Sequence, residues 1–430
     1  MIKLIKNNSF VQGTILYTII DIISKAIPFL LLPIVTRFLN TNDFGILTNF
    51  NVVLQIATVL CGFSTYSFLS VGFFKFKKDL SQYYSNLNYL IVIMIIVLLL
   101  SVLLFHNFFD LSLNIGLQFQ IYGVLSGGAI AIFTLYSTFL RMDNKIITFG
   151  VLQILNSLLL AGFAIFFVVI FKWNWEGRAL SFLLGNIFTV LFILFLFQKS
   201  NLKIEKFDSK KIKEIFNFGL PLVPHSLSFW FKSGMDKIII TSLLSLSANG
   251  IYSIALTLAS LVGVFTTAFF GAYSPILYKN LTDIEISTDK DEIERIKYKL
   301  VKYTIGYLII LAFVCLISFF IMKSLIPIFF SGDYVKSVDY LPLIFCTLFF
   351  DGIYSIMSGY VFFKKKTKTL GFITFSSSIL QMFLTYIFVK QFGLIGAPYS
   401  SVLVAALTAL LIFMVSQSIY KLNWYKIFNV

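Results

Sequence analysis

Apolar runs long enough to cross a bilayer recur along this chain from Phe10 almost to its last residue, separated by short polar interruptions. A spanning helix takes about 20 such residues. Of the 430 residues, 58% are hydrophobic and 12% charged, against roughly 25% charged in an ordinary soluble domain. A chain of this kind cannot cover itself with polar surface, so lipid is its solvent. The expected fold is an all-α integral membrane protein of about 12 transmembrane helices, arranged as two six-helix halves around a central cavity.

The spans are expected at 10–38, 44–73, 85–106, 113–140, 147–171, 177–198, 215–243, 249–275, 300–323, 337–363, 369–389 and 393–420. Lys3 and Lys6 ahead of the first run give it a superficial likeness to a signal peptide. That run carries Asp21 and Lys25 and no small-residue cleavage site, so it is expected to be a retained span. Cys61, Cys315 and Cys346 all fall inside apolar runs, where cysteine behaves as a small hydrophobe.

A formal net charge of +15 would suit nucleic acid, but the basic residues cluster in short loops, where they orient a protein in its membrane. With both termini cytoplasmic, the inside segments carry about 25 Lys and Arg, among them Lys75 to Lys78, Arg141, Lys145 and Lys199 to Lys213, and the outside loops about 6. Both ends inside requires an even number of spans. No nucleic-acid partner is expected.

Shifting the sequence by 205 residues places Phe38-Leu39-Asn40 through Gly45-Ile46 over Leu243-Leu244-Ser245 through Gly250-Ile251, an apolar span, a polar hairpin, then Gly-Ile opening the next span. A second echo pairs Lys145 to Gly150 with Lys366 to Gly371, a shift of 221. The chain therefore reads as an N-terminal half, 1–205, and a C-terminal half, 206–430, in the same orientation. Transporters built this way place the substrate path between their halves. The polar stretch 199–214 reads as the linker, and 279–299 as a surface helix.

Charges inside spans are costly and face the bundle interior or a water-filled cavity. Asp21 and Lys25 share a face of the first span, extended by Thr14, Tyr17 and Pro28. The seventh span holds His225, Lys232, Asp236 and Lys237. The following span of each half carries a polar stripe, Asn51, Gln55, Thr58, Gly62 and Thr65 in one and Ser253, Thr257 and Ser260 in the other. Two readings stay open: these pairs are structural ion locks, or they line a cavity whose lysines attract an anionic group. Asp351, on a stripe with Thr347, Tyr354 and Ser358, is either an ion-coupling group or a hydrogen-bonded structural acid. His225, behind Pro221 and Pro224, is either a pH sensor or a packed imidazole. The first and seventh spans, with Pro28, Pro33, Pro221 and Pro224, are the expected moving helices. There is no glycine-rich phosphate loop, and His106 has no acidic neighbours suggesting a metal site, so the chain reads as a non-enzyme without cofactor.

Several short stretches, in order and spacing, resemble the Wzx-like O-antigen and polysaccharide flippases, the polysaccharide transporter family of the multidrug/oligosaccharidyl-lipid/polysaccharide exporter superfamily. They are Thr36-Arg37-Phe38-Leu39 running to Asp43-Phe44-Gly45-Ile46, Trp175-Glu176-Gly177-Arg178, Phe218-Gly219-Leu220-Pro221 with Asp236-Lys237 downstream, Asn249-Gly250-Ile251-Tyr252, and Gly393 to Ala397. The resemblance implies a bacterial inner-membrane protein that moves undecaprenyl-pyrophosphate-linked oligosaccharide by alternating access, for O-antigen, lipopolysaccharide or capsule. A polysaccharide polymerase and chain-length regulator are the implied partners, beside membrane lipids. Carried onto this chain, it suggests Lys25, Lys232 and Lys237 as lipid-phosphate or sugar contacts with Gln55 beside them. Arg37 and Arg178 would lie nearer the outer face, and Asp21, Asp236, Asp351 and His225 would be charge partners or ion-coupling groups. A drug or metabolite exporter of the same superfamily is the alternative, with a cavity richer in acidic or aromatic groups. A non-transporting scaffold is a third.

Overall fold

A computed structural model describes residues 9–424 apart from 74, 201 and 365, and leaves the side chains of some helical positions, including 225 and 232, undescribed. Within these residues the chain is a succession of helices with no strand. That is the expected answer to a solvent that cannot hydrogen-bond the backbone. Ten segments are long and apolar enough to cross a membrane. One of them, the 52-residue Lys368–Ile419, holds two helices separated at Gly393–Ile395, and Val223–Leu243 adds a further helix whose charges lower its apolarity. The total matches the expected dozen.

Contacts divide the chain into two compact units, Met1–Trp230 and Phe231–Val430. The first contains α1 (Ser9–Thr36), α2 (Thr41–Gly62), α3 (Thr65–Gly72), α4 (Leu80–Leu113), α5 (Leu117–Met142), α6 (Ile146–Ala164), α7 (Asn174–Gln198) and α8 (Ser209–Gly219). α2 packs on α5, α6 on α7 and α1 on α6. The α2–α5 approach is so close that a Cβ at Gly127 would meet the Ala57 Cβ at 2.6 Å and the Thr58 nitrogen at 2.8 Å, the small-residue packing that membrane helices use in place of a hydrophobic drive.

The expected span 44–73 is interrupted. Phe63 and Ser64 take positive φ angles of 43° and 56°, ending α2 before α3 begins. Phe63 stacks on Phe216 of α8 with ring centroids 4.9 Å apart. Gly219, at the end of α8, sits against the Phe63 carbonyl, where a Cβ would come within 2.6 Å of the oxygen. The break is thus held by a helix more than 140 residues away in sequence.

The stretch before α8 is strapped along the start of α4. Lys203 N–H donates to Ser81 Oγ, Glu205 N–H to Ser85 Oγ and Asp208 N–H to Asn86 Oδ1, at 3.2, 3.0 and 2.9 Å. The Tyr89 hydroxyl donates to the Glu205 carbonyl at 2.8 Å. Side chains of α4 thereby satisfy an extended backbone that has no strand partner.

The second unit contains most of α9 (Val223–Leu243), then α10 (Leu246–Ile286), α11 (Lys290–Phe329), α12 (Leu341–Phe363), α13 (Thr367–Phe392) and α14 (Gly396–Ile419). α12 packs on α14, and α14 on α13. The segment 279–299 is not a separate surface helix. Its first part prolongs α10, to 41 residues, and its second opens α11, 40 residues long, about a turn at Ser287 to Asp289. Asp289 caps α11 through the Asp291 N–H, and acids in the first turn suit the helix dipole. Side chains such as Leu104 and Ile147, 77% and 84% exposed, face outward as a lipid-bathed surface requires.

Candidate functional site

In the first unit the charged constellation is built by α1, α5 and α6. Asp21 on α1 lies 3.8 Å from the Arg141 guanidinium, in the last turn of α5. The guanidinium in turn sits 4.8 Å from the ring centre of Phe149 on α6 and 5.7 Å from that of Tyr17 on α1. Asp21 and Arg141 are 41% and 47% exposed, so as a pair they contribute at most about 1 kcal/mol. The rings on either side fix where the cation sits. Ser157 of α6 donates to the Ser24 carbonyl at 2.9 Å, locking α6 against α1 one turn further along.

Asp21 and Lys25 share a helix face as expected, but the ion pair of Asp21 is with Arg141, and Lys25 is exposed. The expected span 113–140 leaves Arg141 in the following loop. α5 continues to Met142, and that extra turn brings Arg141 alongside α1. Arg37 is exposed in the turn after α1, and Gln55 is exposed on α2. Arg178 is engaged: its Nη1 donates to the Leu160 carbonyl and to Ser181 Oγ, both at 3.0 Å, and its guanidinium lies 4.2 Å from the ring centre of Phe182. It cross-links α6 and α7.

In the second unit Asp236 of α9 is 6% exposed. Its carboxylate accepts the Lys237 N–H at 2.8 Å, with the half-buried Lys237 next to it in sequence. Tyr252 of α10 lies within the field of Asp236, and its hydroxyl is bonded to Ser401 of α14. Around Ser401 runs a buried polar network. Gln381 Nε2 donates to Thr385, Ser400 and Ser401 at 3.1, 3.2 and 3.0 Å, and Thr385 and Ser400 hydroxyls are 2.8 Å apart. A buried carboxylate with a tyrosine hydroxyl in its field is placed as functional groups are. Asp351 is half-buried on α12, where its carbonyl accepts the Ser355 hydroxyl at 2.8 Å. The side chains of His225 and Lys232 lie outside the described residues.

The Gln381 network is absent from the sequence reading, although Gln381 and Thr385 stand four apart in an apolar span and are therefore on one face. So is a contact in the first unit, where Asn156 Nδ2 donates to Thr189 at 2.9 Å. Among the described residues no group of three or more His, Cys, Asp or Glu could hold a metal ion.

Comparison with known proteins places these features in context. Residues 10–281 match a family described as polysaccharide biosynthesis protein. A Haemophilus influenzae protein of the Lsg locus is 23% identical over 401 residues, covering 90% of this chain and 94% of that protein. An uncharacterized membrane protein of the same organism is 23% identical over 381 residues, covering 87% and 89%. Among solved structures, a multidrug resistance MATE family transporter of the MOP superfamily, in an inward-facing conformation, superposes with a TM-score of 0.74 at 14% identity, covering 92% of this chain and 94% of that one. A MOP superfamily transporter from Pyrococcus furiosus gives 0.64 at 14% identity, covering 94% and 95%. At these identities the structural likeness establishes the fold, which is that of membrane transporters.

Proposed function

The chain belongs to the polysaccharide biosynthesis protein family, and from that premise we propose that it is a flippase for lipid-linked oligosaccharides. Its cargo on this reading is an undecaprenyl-pyrophosphate-linked polysaccharide repeat unit, moved across the bacterial inner membrane by alternating access, with both termini on the cytoplasmic side. The observation that carries the reading is the family match across residues 10–281 in a chain that has a transporter fold.

The physical task fits the residues at hand. Such a cargo brings a pyrophosphate whose charge must be balanced when it leaves water, sugar hydroxyls that need hydrogen-bond partners, and a tail that stays in lipid. Lys25, Lys232 and Lys237 are the proposed cationic contacts, with Gln55, Arg37 and Arg178 as further polar ones. Asp21, Asp236, Asp351 and His225 are the proposed charge partners or ion-coupling groups. Asp236 stands out among them because its burial gives its charge the largest energetic consequence. A polysaccharide polymerase and a chain-length regulator are the proposed partners.

A second reading, export of a soluble drug or metabolite, draws on the multidrug transporters among the structural neighbours. One experiment separates the two: leaflet exposure of a labelled lipid-linked oligosaccharide in vesicles containing the protein, with Lys25→Ala, Lys237→Ala and Asp236→Ala alongside wild type. Flipping by wild type that is lost in the variants at equal protein level supports the flippase. A wild type that moves no lipid-linked glycan but exports a soluble cation sinks it.

A further inference from the structure

A cavity of about 410 Å³ opens at the Lys-rich end of the first unit. It lies where α3, α4, α5 and α6 reach the same end of the bundle, the end that the Lys and Arg distribution assigns to the headgroups. Its polar lining is Lys78, Ser81, Asn144 and Lys145, with Asp143 the acid among them, and its apolar walls include Phe73 and Phe139. Lys145 is held 2.9 Å from Asp143 and 5.7 Å from the Phe139 ring centre. Ser81 Oγ accepts the Lys203 N–H, which leaves its own O–H to donate. The strap that carries Lys203 also supplies Leu202 to the lining.

Two ammonium groups against one carboxylate give the lining a net charge of about +1 at neutral pH. That matches one phosphodiester. A more highly charged pyrophosphate would be left under-neutralised, and a free phosphate would gain nothing from the phenyl walls. The corresponding hairpin of the second unit is built differently: Lys364 lies 2.7 Å from Glu285, and the Tyr420 hydroxyl donates to the same carboxylate at 2.5 Å, so one of its lysines is tied to an acid from outside the hairpin.

We propose that the cavity lined by Lys78, Ser81, Asn144 and Lys145 binds the headgroup of an anionic glycerophospholipid, with Phe73 and Phe139 against its glycerol and first acyl carbons. The site is separate from the charged residues assigned to cargo and does not depend on which cargo is carried. Occupied, it fastens the strap and the 142–145 hairpin to the surrounding leaflet.

The test is thermal unfolding of the full chain in detergent, titrated with phosphatidylglycerol, phosphatidylcholine, inorganic phosphate or inorganic pyrophosphate. Phosphatidylglycerol raises the Tm and the other three do not. In Lys78→Gln/Lys145→Gln the apparent affinity for phosphatidylglycerol falls roughly thirtyfold, whereas Lys368→Gln, which removes an exposed lysine of the second unit, leaves it unchanged. Asp143→Asn raises the affinity, a sign that misfolding cannot imitate, so the proposal stays testable even if the double variant does not fold. An undiminished phosphatidylglycerol response in the double variant, an unchanged or weakened one in Asp143→Asn, or an equal response to inorganic phosphate or pyrophosphate overturns it.

Discussion

The two units treat the same pair of spans differently. In the second unit α10 runs unbroken from Leu246 to Ile286, passing through Ala268, the position that the 205-residue shift places opposite Phe63. In the first unit the equivalent helix stops at Gly62 and restarts at Thr65. Neither Gly62 nor Ser64 forces a stop, since both occur inside membrane helices. What distinguishes the first unit is α8, whose Gly219 and Phe216 press on Phe63 from outside the pair. The charged residues diverge in parallel. Asp21 is half-exposed and paired with Arg141, while Asp236 is buried with Tyr252 and a hydroxyl network nearby. A repeated sequence pattern therefore specifies the helices, and the surroundings of each copy decide what its polar groups do.

The sharpest way to break this comparison is at Gly219. Gly219→Val drives a branched side chain into the Phe63 carbonyl and should cost about 2–3 kcal/mol, the strongest loss of thermal stability among these variants. Ala268→Val, on the exposed side of α10, should be close to neutral. Equal melting temperatures for the two variants in detergent would mean that α8 does not hold the break.

Next in size is the contrast between the acids. On the proposed flippase reading, Asp236→Asn should slow flipping at least tenfold, about 1.4 kcal/mol in the barrier, and Asp21→Asn only a few-fold, because a partly exposed ion pair is worth little. Initial rates of glycan flipping in vesicles at matched protein level decide it, and the reverse order would make the first unit the seat of coupling.

A smaller effect is expected at the hairpin of the second unit. Burial, and then the bond to Glu285, hold the Tyr420 phenol above its ordinary pKa, so it stays a donor at neutral pH. Tyr420→Phe should lower stability by about 1 kcal/mol, read as a Tm shift, and leave phosphatidylglycerol binding at the first unit untouched. The smallest effects test what the units share. Asn40 caps α2 through the Asp43 N–H at 2.8 Å, and Ser245, 205 residues later, caps α10 through the Ala248 N–H at 3.1 Å. Asn40→Ala and Ser245→Ala should each cost about 0.5–1 kcal/mol. A large inequality in Tm would show that the repeat is matched in sequence but not in energy.

The parts legible in the sequence are those fixed locally or by the thickness of the bilayer. Span number and placement follow from the length an apolar helix needs. The hairpins at Asn40 and Ser245 follow from capping side chains three residues ahead of the N–H they accept. The second echo is local as well: Lys145 N–H reaches back to the Leu140 carbonyl and Lys366 N–H to that of Val361, at 2.9 and 3.1 Å, the same turn 221 residues apart. Of the proposed site, the sequence pointed to Asp21 and Asp236 because charges in apolar runs are conspicuous.

Only the tertiary structure decided their circumstances. Arg141 as the partner of Asp21, the break at Phe63 held by α8, the strap on Ser81, Ser85 and Asn86, and the gathering of Gln381, Thr385, Ser400 and Ser401 all join residues distant in sequence or on different helices. A helix's own pattern says which face is polar, not which neighbour will meet it. That choice is made by packing, where a missing Cβ at Gly127 or Gly219 sets how near two backbones come, and with it which side chains are close enough to pair.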